Sequence, residues 1–444
     1  MVDTPQSSPP QTYTARLLVP HPDERRILTD LEGATPTITV PVPPTDSWWR
    51  ETAVVNRAVR EQMGLHATVL YCAAFDDTPG ERTATYALEV QDPQWEPAGN
   101  LMWAAFDDAA TVAWDKYAKL GDSNTWSRPG WFGEASQWLE EKVGERGWSL
   151  VGEVEQVRSW FLSSILRAET TGGVVYLKAA LPMYRYEPAL TERLSWSYPS
   201  LLPEVLAIDN ERRWLLMREV KGVKLRLHPN REQYLPRWEG VLRDYARIQL
   251  DYTTQVQELF DVGLPDLRLE SIAARIEPFF MALPQLFDRS ELAPDAVAMA
   301  RYESWVPRLL EICAQLREYD LPPTLHHGDL HSGNILANDR DCKLLDWAGF
   351  IGVSHPFCFL STVFEEHTDP QVQDRLLRAY LEPWQLYGSM ERLMEAVKLA
   401  VRLGWVCGLF GHAAQVQLAA DPWEVKQEQG NIAYCLRSLE QILS

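Results

Sequence analysis

The feature that most constrains the fold is a β-type segment, Thr324 to Ile351, inside a stretch that is otherwise helical from about Val223 onward. It reads TLHHGDLHSGNILANDRDCKLLDWAGFI, so short apolar runs alternate with polar loops. Asp329 and Asn334 stand in one loop with four residues between them, and Asp346 ends the next apolar run. A loop of this length allows the Asp329 and Asn334 side chains to converge on one point.

Phosphoryl transfer explains this set of side chains and its spacing. A carboxylate, here Asp329, must lie beside the attacking hydroxyl, while Asn334 and Asp346 supply oxygen ligands to the Mg²⁺ that bridges the ATP phosphates. The run from His327 to Asn334 matches the H-R-D-L-x-x-x-N catalytic loop of protein kinases, except that Gly328 replaces the Arg. Without that Arg, and without an A-P-E sequence after Asp346, the pattern favours a small-molecule acceptor over a protein acceptor.

Candidates for binding the nucleotide occur upstream in the expected order. Lys178 closes the run Val175-Tyr-Leu-Lys178, where its ammonium group could meet the α- and β-phosphates. Glu187 follows nine residues later, at the start of a helical segment, and could orient Lys178 as an ion pair. Met217 and Glu219 lie in a segment that would connect two lobes and offer its backbone to an adenine edge.

Together these residues resemble the aminoglycoside phosphotransferase/choline kinase-like superfamily over the C-terminal two thirds of the chain, most strongly in HHGDLHSGNIL and LLDW. The resemblance implies an α+β, protein-kinase-like two-lobed fold with a β-rich small lobe and a mostly helical large lobe. It implies ATP and Mg²⁺ as cofactors and transfer of the γ-phosphoryl group to a small-molecule hydroxyl, of the aminoglycoside, amino sugar or amino alcohol class. Asp329 would be catalytic, Asn334 and Asp346 would bind the metal, and Lys178 and Glu187 would form the phosphate-binding pair.

The chain departs from the family pattern at two places. No G-x-G-x-x-G lies between Arg158 and Thr170, so Ser163 and Ser164 would have to cover the phosphates. Family members often carry an Asp three residues after the Pro of a D-P or H-P turn, but this chain has Phe359 at that position. We therefore expect other residues to support the catalytic loop.

Three domains are predicted: an N-terminal α/β domain over residues 1–125, a kinase small lobe over 146–222 and a kinase large lobe over 223–444. Turn-forming residues from Gly121 to Gly130 mark the first boundary. Three β-type runs predict the sheet of the small lobe, with Thr170–Gly173 as the hairpin turn between the last two.

The N-terminal domain has a fainter resemblance, to the Nudix fold. The segment Arg57–Leu65 resembles the second half of the Nudix box, R-E-U-x-E-E-x-G-U, on a helix predicted from about Trp48 to Met63 between two strands. Only Glu61 remains of the three helix carboxylates, since Ala58 and Gln62 replace the others, and one carboxylate is a poor Mg²⁺ site. We therefore predict a degenerate Nudix-like scaffold without hydrolase activity.

The net charge and the cysteine usage indicate which binding partners and which cell compartment to expect. The formal net charge is −20, from 42 Lys and Arg against 62 Asp and Glu, which disfavours nucleic acid and anionic membranes as partners. The six cysteines include no C-x-x-C pair and sit mostly in apolar stretches, as expected for reduced core thiols in a cytoplasmic protein. The longest apolar run, near Leu403–Ala414, is too short to span a membrane and predicts a core helix.

Two other functions are open to the same residues. The histidines around Asp329 could form a metallohydrolase site with a downstream histidine. Its candidate ligands are His326, His327, His331, His355 and His367. A non-catalytic nucleotide sensor could also retain Asn334 and Asp346 as polar loop residues. Taken singly, Lys178 and Glu187 would be ordinary solvated side chains, and only their order relative to Asp329 indicates a site.

Overall fold

Alternating buried and exposed side chains build the strands of the first half of the chain. In the computed structural model, which describes residues 11–45, 47–78, 80–105, 124–287, 290–419 and 421–443, the first strand buries Tyr13, Ala15 and Leu17 and exposes the residues between them. Because successive side chains of a strand point to opposite faces, this pattern places one face of the sheet against a core.

The described residues contain seventeen strands and eleven α-helices. Strands β1 to β17 are, in order, Thr12–Leu18, Arg26–Asp30, Thr37–Pro41, Ala67–Asp76, Thr83–Val90, Leu101–Ala105, Glu155–Trp160, Ser163–Thr170, Gly173–Ala180, Val205–Asp209, Trp214–Arg218, Val223–Lys224, Asp266–Leu267, Thr324–His326, Ile335–Ala337, Cys342–Leu344 and Gly352–Ser354. Helices α1 to α11 are, in order, Thr52–Met63, Trp131–Gly144, Glu187–Ser197, Tyr234–Tyr252, Val256–Asp261, Leu269–Leu286, Ala296–Arg317, Leu360–Glu366, Pro370–Leu381, Met390–Leu418 and Pro422–Leu443.

The chain divides into two units, and the first comprises the residues up to Met183 together with Glu211–Arg218. One sheet of this unit has the order β3-β1-β5-β4, in which β1 and β5 run parallel and the other neighbours antiparallel. A second sheet joins β11, β9, β8 and β7 through antiparallel pairs. Helix α1 packs against β3, β4 and β7.

A buried amide joins the two sheets of the first unit. Gln156 on β7, only 3% exposed, donates from Nε2 to the carbonyl of Val69 on β4 (2.8 Å) and accepts the Val69 N–H at Oε1 (3.0 Å). Its own carbonyl accepts from the Thr52 hydroxyl of α1 (3.2 Å). The N-terminal sheet and the β7–β9 sheet are therefore parts of one packed body.

The second unit comprises Tyr184–Asn210 and Glu219–Ser444 and is mostly helical. Its helices pack in pairs, α10 on α11, α6 on α7 and α4 on α9. Two three-stranded sheets interrupt the helices, with the orders β12-β15-β16 and β13-β17-β14. Strands β14 to β17 carry the motif segment, so the prediction of a β-type island in a helical region is confirmed.

Local patterns predicted most elements closely. The hairpin turn lies where expected, because Thr170 pairs with Gly173 across a two-residue loop. The predicted helix from Trp48 was wrong at its start, since Trp48–Arg50 form a separate 3₁₀ turn and α1 begins at Thr52, although Gly64 does end it with φ +63°. The apolar run near Leu403 lies in α10, and no helix among the described residues is long and apolar enough to cross a membrane. All six cysteines are free thiols, and only Cys342 is not fully buried.

Candidate active site

A tight loop between β14 and β15 brings Asp329 and Asn334 together. Successive turns close it through hydrogen bonds from Asp329 N to the His327 carbonyl (2.7 Å) and from Asn334 N to the His331 carbonyl (2.9 Å). The Asn334 carboxamide nitrogen then donates both to the main-chain carbonyl of Asp329 and to its carboxylate Oδ2, each at 3.0 Å. The predicted convergence of these two side chains is present in the second unit.

Asp346 follows β16 and faces the same loop. The neighbouring Leu345 donates its N–H to the Asn334 carbonyl (2.9 Å), and its carbonyl contacts Nε2 of His327 at 3.1 Å. Asp346 itself has φ +62°, a left-handed conformation that is uncommon outside glycine and that turns the chain at the end of the strand. The negative charge of Asp346 reaches Asp329 and contributes to a raised pKa of that carboxyl.

Desolvation by the surrounding protein, followed by the charge of Asp346, is the main cause that raises the pKa of the Asp329 carboxyl to about 7. The hydrogen bond from Asn334 opposes them. The Asp329 side chain nevertheless keeps 38% of its surface exposed, so an incoming molecule can reach it. A carboxyl group with a pKa near neutrality can exchange a proton with a bound hydroxyl at physiological pH.

The same group of side chains suits a hard divalent cation. Because the Asn334 nitrogen is used in hydrogen bonds to Asp329, the carboxamide oxygen is the group available to a cation. The two carboxylates repel each other electrostatically, and bound positive charge would relieve that repulsion. Mg²⁺ commonly takes one or two protein carboxylates together with substrate phosphates, which is what Asp346 and Asn334 could offer.

Glycine is required immediately before Asp329. Gly328 has φ +62°, and a Cβ atom added to it would lie 2.3 Å from the carbonyl oxygen of Phe350. No side chain fits there without moving the loop or the turn after Asp346. The replacement of the protein-kinase Arg by Gly328 is therefore a steric requirement of this loop.

Aromatic residues support the start of the loop. The Tyr245 hydroxyl of α4 accepts the His327 N–H (2.8 Å) and donates to the Leu325 carbonyl (3.1 Å). The fully buried ring of Phe359 packs edge-on against Tyr245, with the centroids 4.8 Å apart. Thr362 of α8 donates to the Gly328 carbonyl at 3.2 Å. Phe359 thus contributes indirectly, through Tyr245, at the position where relatives often have an Asp.

A carboxylate supports the middle of the loop. Glu366, the last residue of α8, accepts the Ser332 N–H at Oε2 (2.7 Å) and contacts the Ser332 hydroxyl with Oε1. Tyr234, the first residue of α4, donates to the same Oε1 at 2.9 Å. Sequence reasoning did not find these residues, because Ser332 and Glu366 are 34 residues apart and no local pattern links them.

Other charged side chains surround Asp329. His412 on α10 pairs with the buried Glu428 of α11 through Nδ1 and Oε2 (2.8 Å), and its ring lies 4.7 Å from that of Phe350. Glu365, one turn after Thr362 on α8, adds to the raised pKa of Asp329, whereas His412 lowers it. The surroundings of Asp329 are therefore rich in carboxylates.

The residues predicted to contact phosphates on the small lobe lie in the first unit. Lys178 on β9 pairs with Ile165 of β8 and with Leu215 of β11. Ser163 accepts at Oγ from the indole nitrogen of Trp160 (2.9 Å), and both Ser163 and Ser164 are buried. Ser164 donates to the Arg158 carbonyl at 3.3 Å. Both hydroxyls thus form hydrogen bonds within the β7–β8 hairpin. Their contact with phosphate stays a prediction.

The remaining nucleotide candidates lie where the chain passes between units. Glu187 opens α3 in the second unit and is 2% exposed, so its carboxylate is desolvated. Met217 lies on β11, opposite Tyr176, and Glu219 follows that strand as the first residue of the returning second unit. The Lys178–Glu187 ion pair and the adenine contact of the connector stay predictions.

The described residues do not support a metallohydrolase site. No group of three or more His, Cys, Asp or Glu side chains among them is arranged to hold a metal ion. His326 and His327 are fully buried, and burial lowers their pKa to about 3 and about 4, so both are neutral packing residues. In this structure the histidines shape the loop.

Residues 163–394, more than half of the chain, match the phosphotransferase enzyme family. The chain belongs to this family. The matched range runs from the start of β8 into α10 and includes the Asp329 loop and Asp346. The predicted fold class, an α+β protein-kinase-like fold preceded by an N-terminal region with its own sheet, is confirmed. The Nudix-like part of the N-terminal prediction is not tested by these comparisons and stays a prediction.

Several solved structures resemble this phosphotransferase family member. The choline kinase LicA from Streptococcus pneumoniae has 15% identity and a TM-score of 0.46, covering 68% of this chain and 99% of its own. The Plasmodium vivax ethanolamine kinase has 11% identity and a TM-score of 0.49, covering 76% and 92%. A macrolide 2'-phosphotransferase from Brachybacterium faecium has 14% identity and a TM-score of 0.42, covering 67% and 98%. No curated protein matches the chain.

Proposed function

We propose that this protein is an ATP- and Mg²⁺-dependent kinase that transfers the γ-phosphoryl group to a hydroxyl of a small molecule. The proposal depends on one observation in a member of the phosphotransferase enzyme family. Asp329 and Asn334 are hydrogen-bonded within one loop, and the charge of Asp346 acts on Asp329. Phosphoryl transfer depends mainly on positioning, which Asp329 would supply, and on charge stabilisation, which Mg²⁺ held by Asn334 and Asp346 would supply.

Each residue has a role in this proposal. Asp329 would accept a hydrogen bond from the acceptor hydroxyl and orient it towards the γ-phosphorus. It would take the hydroxyl proton as the acceptor oxygen bonds to phosphorus and the bond from phosphorus to the β–γ bridging oxygen breaks, which releases ADP. Asn334 and Asp346 would hold Mg²⁺, which when bound neutralises charge on the β- and γ-phosphates. Lys178, oriented by Glu187, would contact the α- and β-phosphates, Ser163 and Ser164 would lie over them, and the Met217–Glu219 connector would contact adenine.

Charge supports one class of acceptor. The charges of Asp346 and Glu365 both act on Asp329, and the whole chain carries a net charge of −20. An acceptor that bears an amine would be attracted by this field, whereas an anionic acceptor would be repelled. We therefore place aminoglycosides, amino sugars and amino alcohols first among the acceptors. A cytoplasmic location and the absence of nucleic acid or membrane partners remain predictions from charge and cysteine usage.

The test is Mg²⁺-dependent ATP consumption by the purified protein with a panel of aminoglycosides, amino sugars, choline, ethanolamine and homoserine. Asp329→Ala is the control, and it should lower turnover by about 100- to 10,000-fold while leaving the melting temperature nearly unchanged. A compound-dependent signal that disappears in the variant would establish the activity and the acceptor class. Stabilisation by Mg·ATP without any transfer would instead indicate a nucleotide sensor, and equal turnover in Asp329→Ala would refute the mechanism.

A further inference from the structure

Glu366 ends helix α8 and reaches the middle of the loop that carries Asp329 and Asn334. We propose that Glu366 is the positioning residue of this loop, acting through Ser332 to hold the Asn334 carboxamide where a cation and the γ-phosphate would bind. The inference rests on the proposed kinase function for its catalytic consequence. Its structural part, that one carboxylate immobilises the loop, can be tested without any turnover.

The Glu366 carboxylate contacts both polar groups of Ser332. One carboxylate takes both polar groups of Ser332, the N–H at 2.7 Å through Oε2 and the hydroxyl through Oε1. Ser332 is 1% exposed, so water does not compete for these groups. Hydrogen bonds to a carboxylate are roughly twice as strong as those between neutral groups. Ser332 is therefore fixed from outside the loop.

The Glu366 carboxylate is itself held in place by the start of α4. Tyr234 donates to Oε1 from the start of α4, at 2.9 Å. The adjacent His367 packs its ring against Trp238 (5.4 Å between centroids) and Tyr234 (5.9 Å). The end of α8 is thus anchored to the first turn of α4. Glu366 consequently fixes the loop relative to helices α4 and α8.

Ser332 lies close to both Asp329 and Asn334 along the loop. Ser332 lies two residues before Asn334 and three after Asp329, and Asn334 bridges back to Asp329 through two hydrogen bonds. A shift of Ser332 must therefore move the groups proposed to hold Mg²⁺ and the hydroxyl. The neighbouring Glu365 cannot replace Glu366, because its side chain is exposed and interacts with Tyr434 of α11.

The test compares Glu366→Ala and Glu366→Gln with wild type in the full chain. Loss of the carboxylate should speed amide hydrogen exchange in the peptide that contains Ser332 by about tenfold. In the same variant kcat should fall by about 100-fold and the Mg²⁺ concentration for half-maximal rate should rise, with KM for ATP within about threefold of wild type. Glu366→Gln keeps one acceptor oxygen and should lie between the two.

Two further variants separate positioning from general destabilisation. Glu382→Ala removes a helix-end glutamate paired with Arg243 at 2.9 Å, far from the loop in sequence, and should change neither readout. If Glu366 acts through Ser332, the double variant Ser332→Ala with Glu366→Ala should be no slower than Glu366→Ala alone. Additive losses in the double variant would contradict the proposed route.

The outcomes decide the two proposals separately. Faster exchange with a lower kcat supports the positioning role, whereas unchanged exchange, or faster exchange with full turnover, overturns it. If the wild-type protein phosphorylates no acceptor, the kinase proposal fails. The exchange measurement then still decides whether Glu366 holds the loop, since it requires neither ATP nor an acceptor.

Discussion

At the scale of single residues, Gly328 offers a sharp test of the catalytic loop. Its φ of +62° and the Phe350 carbonyl 2.3 Å from any added Cβ mean that Gly328→Ala must displace the loop. We expect unfolding free energy to fall by about 2–3 kcal/mol, from left-handed strain plus the clash, and turnover to fall by about 100-fold. Chemical denaturation and an ATP consumption assay measure the two effects.

Gly64→Ala is the matched control for this substitution. Gly64 has φ +63°, nearly the same as Gly328, but no atom lies within 4 Å of an added Cβ. The substitution should therefore cost only the left-handed strain, about 1 kcal/mol, and leave turnover unchanged. Equal losses in the two variants would show that backbone conformation alone, rather than the contact with Phe350, accounts for the effect at Gly328.

Burial of His355 predicts a pH dependence of stability. The residue is 2% exposed, burial lowers its pKa to about 3, and its Nδ1 accepts the Phe357 N–H at 3.3 Å. Between pH 6.5 and 3 the unfolded chain binds a proton at this position that the folded chain does not. Stability is therefore complete above pH 6.5 and is lost as the pH falls through this window.

His355→Asn should flatten that dependence. An Asn side chain before Pro356 can accept the same N–H two residues on, as in an Asx turn, but it does not titrate. Between pH 7 and pH 4.5 the variant should lose about 1–3 kcal/mol less unfolding free energy than wild type, whatever constant cost the smaller side chain adds. Denaturation curves at several pH values give the difference, and parallel curves for the two proteins would exclude the linkage.

The sequence predicted which side chains converge because they are close together along the chain. Asp329 and Asn334 share one loop, and only the short β15–β16 hairpin separates them from Asp346, so spacing and residue type sufficed. Glu366 and Tyr234 could not be found in this way, since their role depends on the ends of two helices that meet in space. Phe359 did signal that support had to come from elsewhere, but not from which residue.

At the scale of elements, the substitution Gly404→Ala tests how closely α10 approaches the turn before α8. A Cβ atom on Gly404 would lie 2.1 Å from the Cys358 carbonyl and 2.5 Å from the Ser361 hydroxyl. Gly404→Ala should therefore destabilise the protein by about 1–3 kcal/mol despite the better helix propensity of alanine. Urea denaturation of the variant and wild type measures this.

Gly240→Ala supplies the comparison for Gly404. Gly240 lies inside α4 with no atom within 4 Å of an added Cβ, so only helix propensity changes. The substitution should stabilise the protein by about 0.5–1 kcal/mol. Opposite signs at the two glycines are the expected result, and destabilisation at both would mean that packing at Gly404 is not the cause.

Element boundaries followed from the sequence where local rules apply. The β8–β9 hairpin was predicted because alternating strands flank a Gly-containing turn, and α1 ends at Gly64 because glycine adopts the left-handed conformation at no steric cost. The start of α1 was misplaced, since the periodicity of Trp48–Arg50 suits a 3₁₀ turn as well as an α-helix. Periodicity alone does not distinguish the two.

At the scale of the whole molecule, the N-terminal sheet and the β7–β9 sheet belong to one unit, although the sequence predicts a boundary near residue 125. The contacts that join them span about ninety residues of sequence, so no local pattern reveals them. The turn-rich stretch after Gly121 suggested a linker, but turn formers also occur where the chain bends back onto its own core.

Gln156→Ala tests whether this joined unit unfolds as one. The substitution leaves the buried N–H and carbonyl of Val69 without the amide that satisfies them, which should cost about 2–4 kcal/mol. Arg60→Ala is the control at the same interface, since its ion pair with Glu153 is exposed and worth at most about 1 kcal/mol. Hydrogen exchange by peptide locates the effect.

If the two sheets form one cooperative unit, Gln156→Ala should raise exchange in β1–β5 and in β8–β9 by similar factors, because both are exposed in the same opening event. If exchange rises only in β1–β5, the N-terminal region opens by itself and behaves as the separate domain that the sequence predicts. The first result would mean that the β7–β9 sheet, with Lys178, depends on the N-terminal region for its stability. Deleting that region would then impair folding of the strands that carry Lys178.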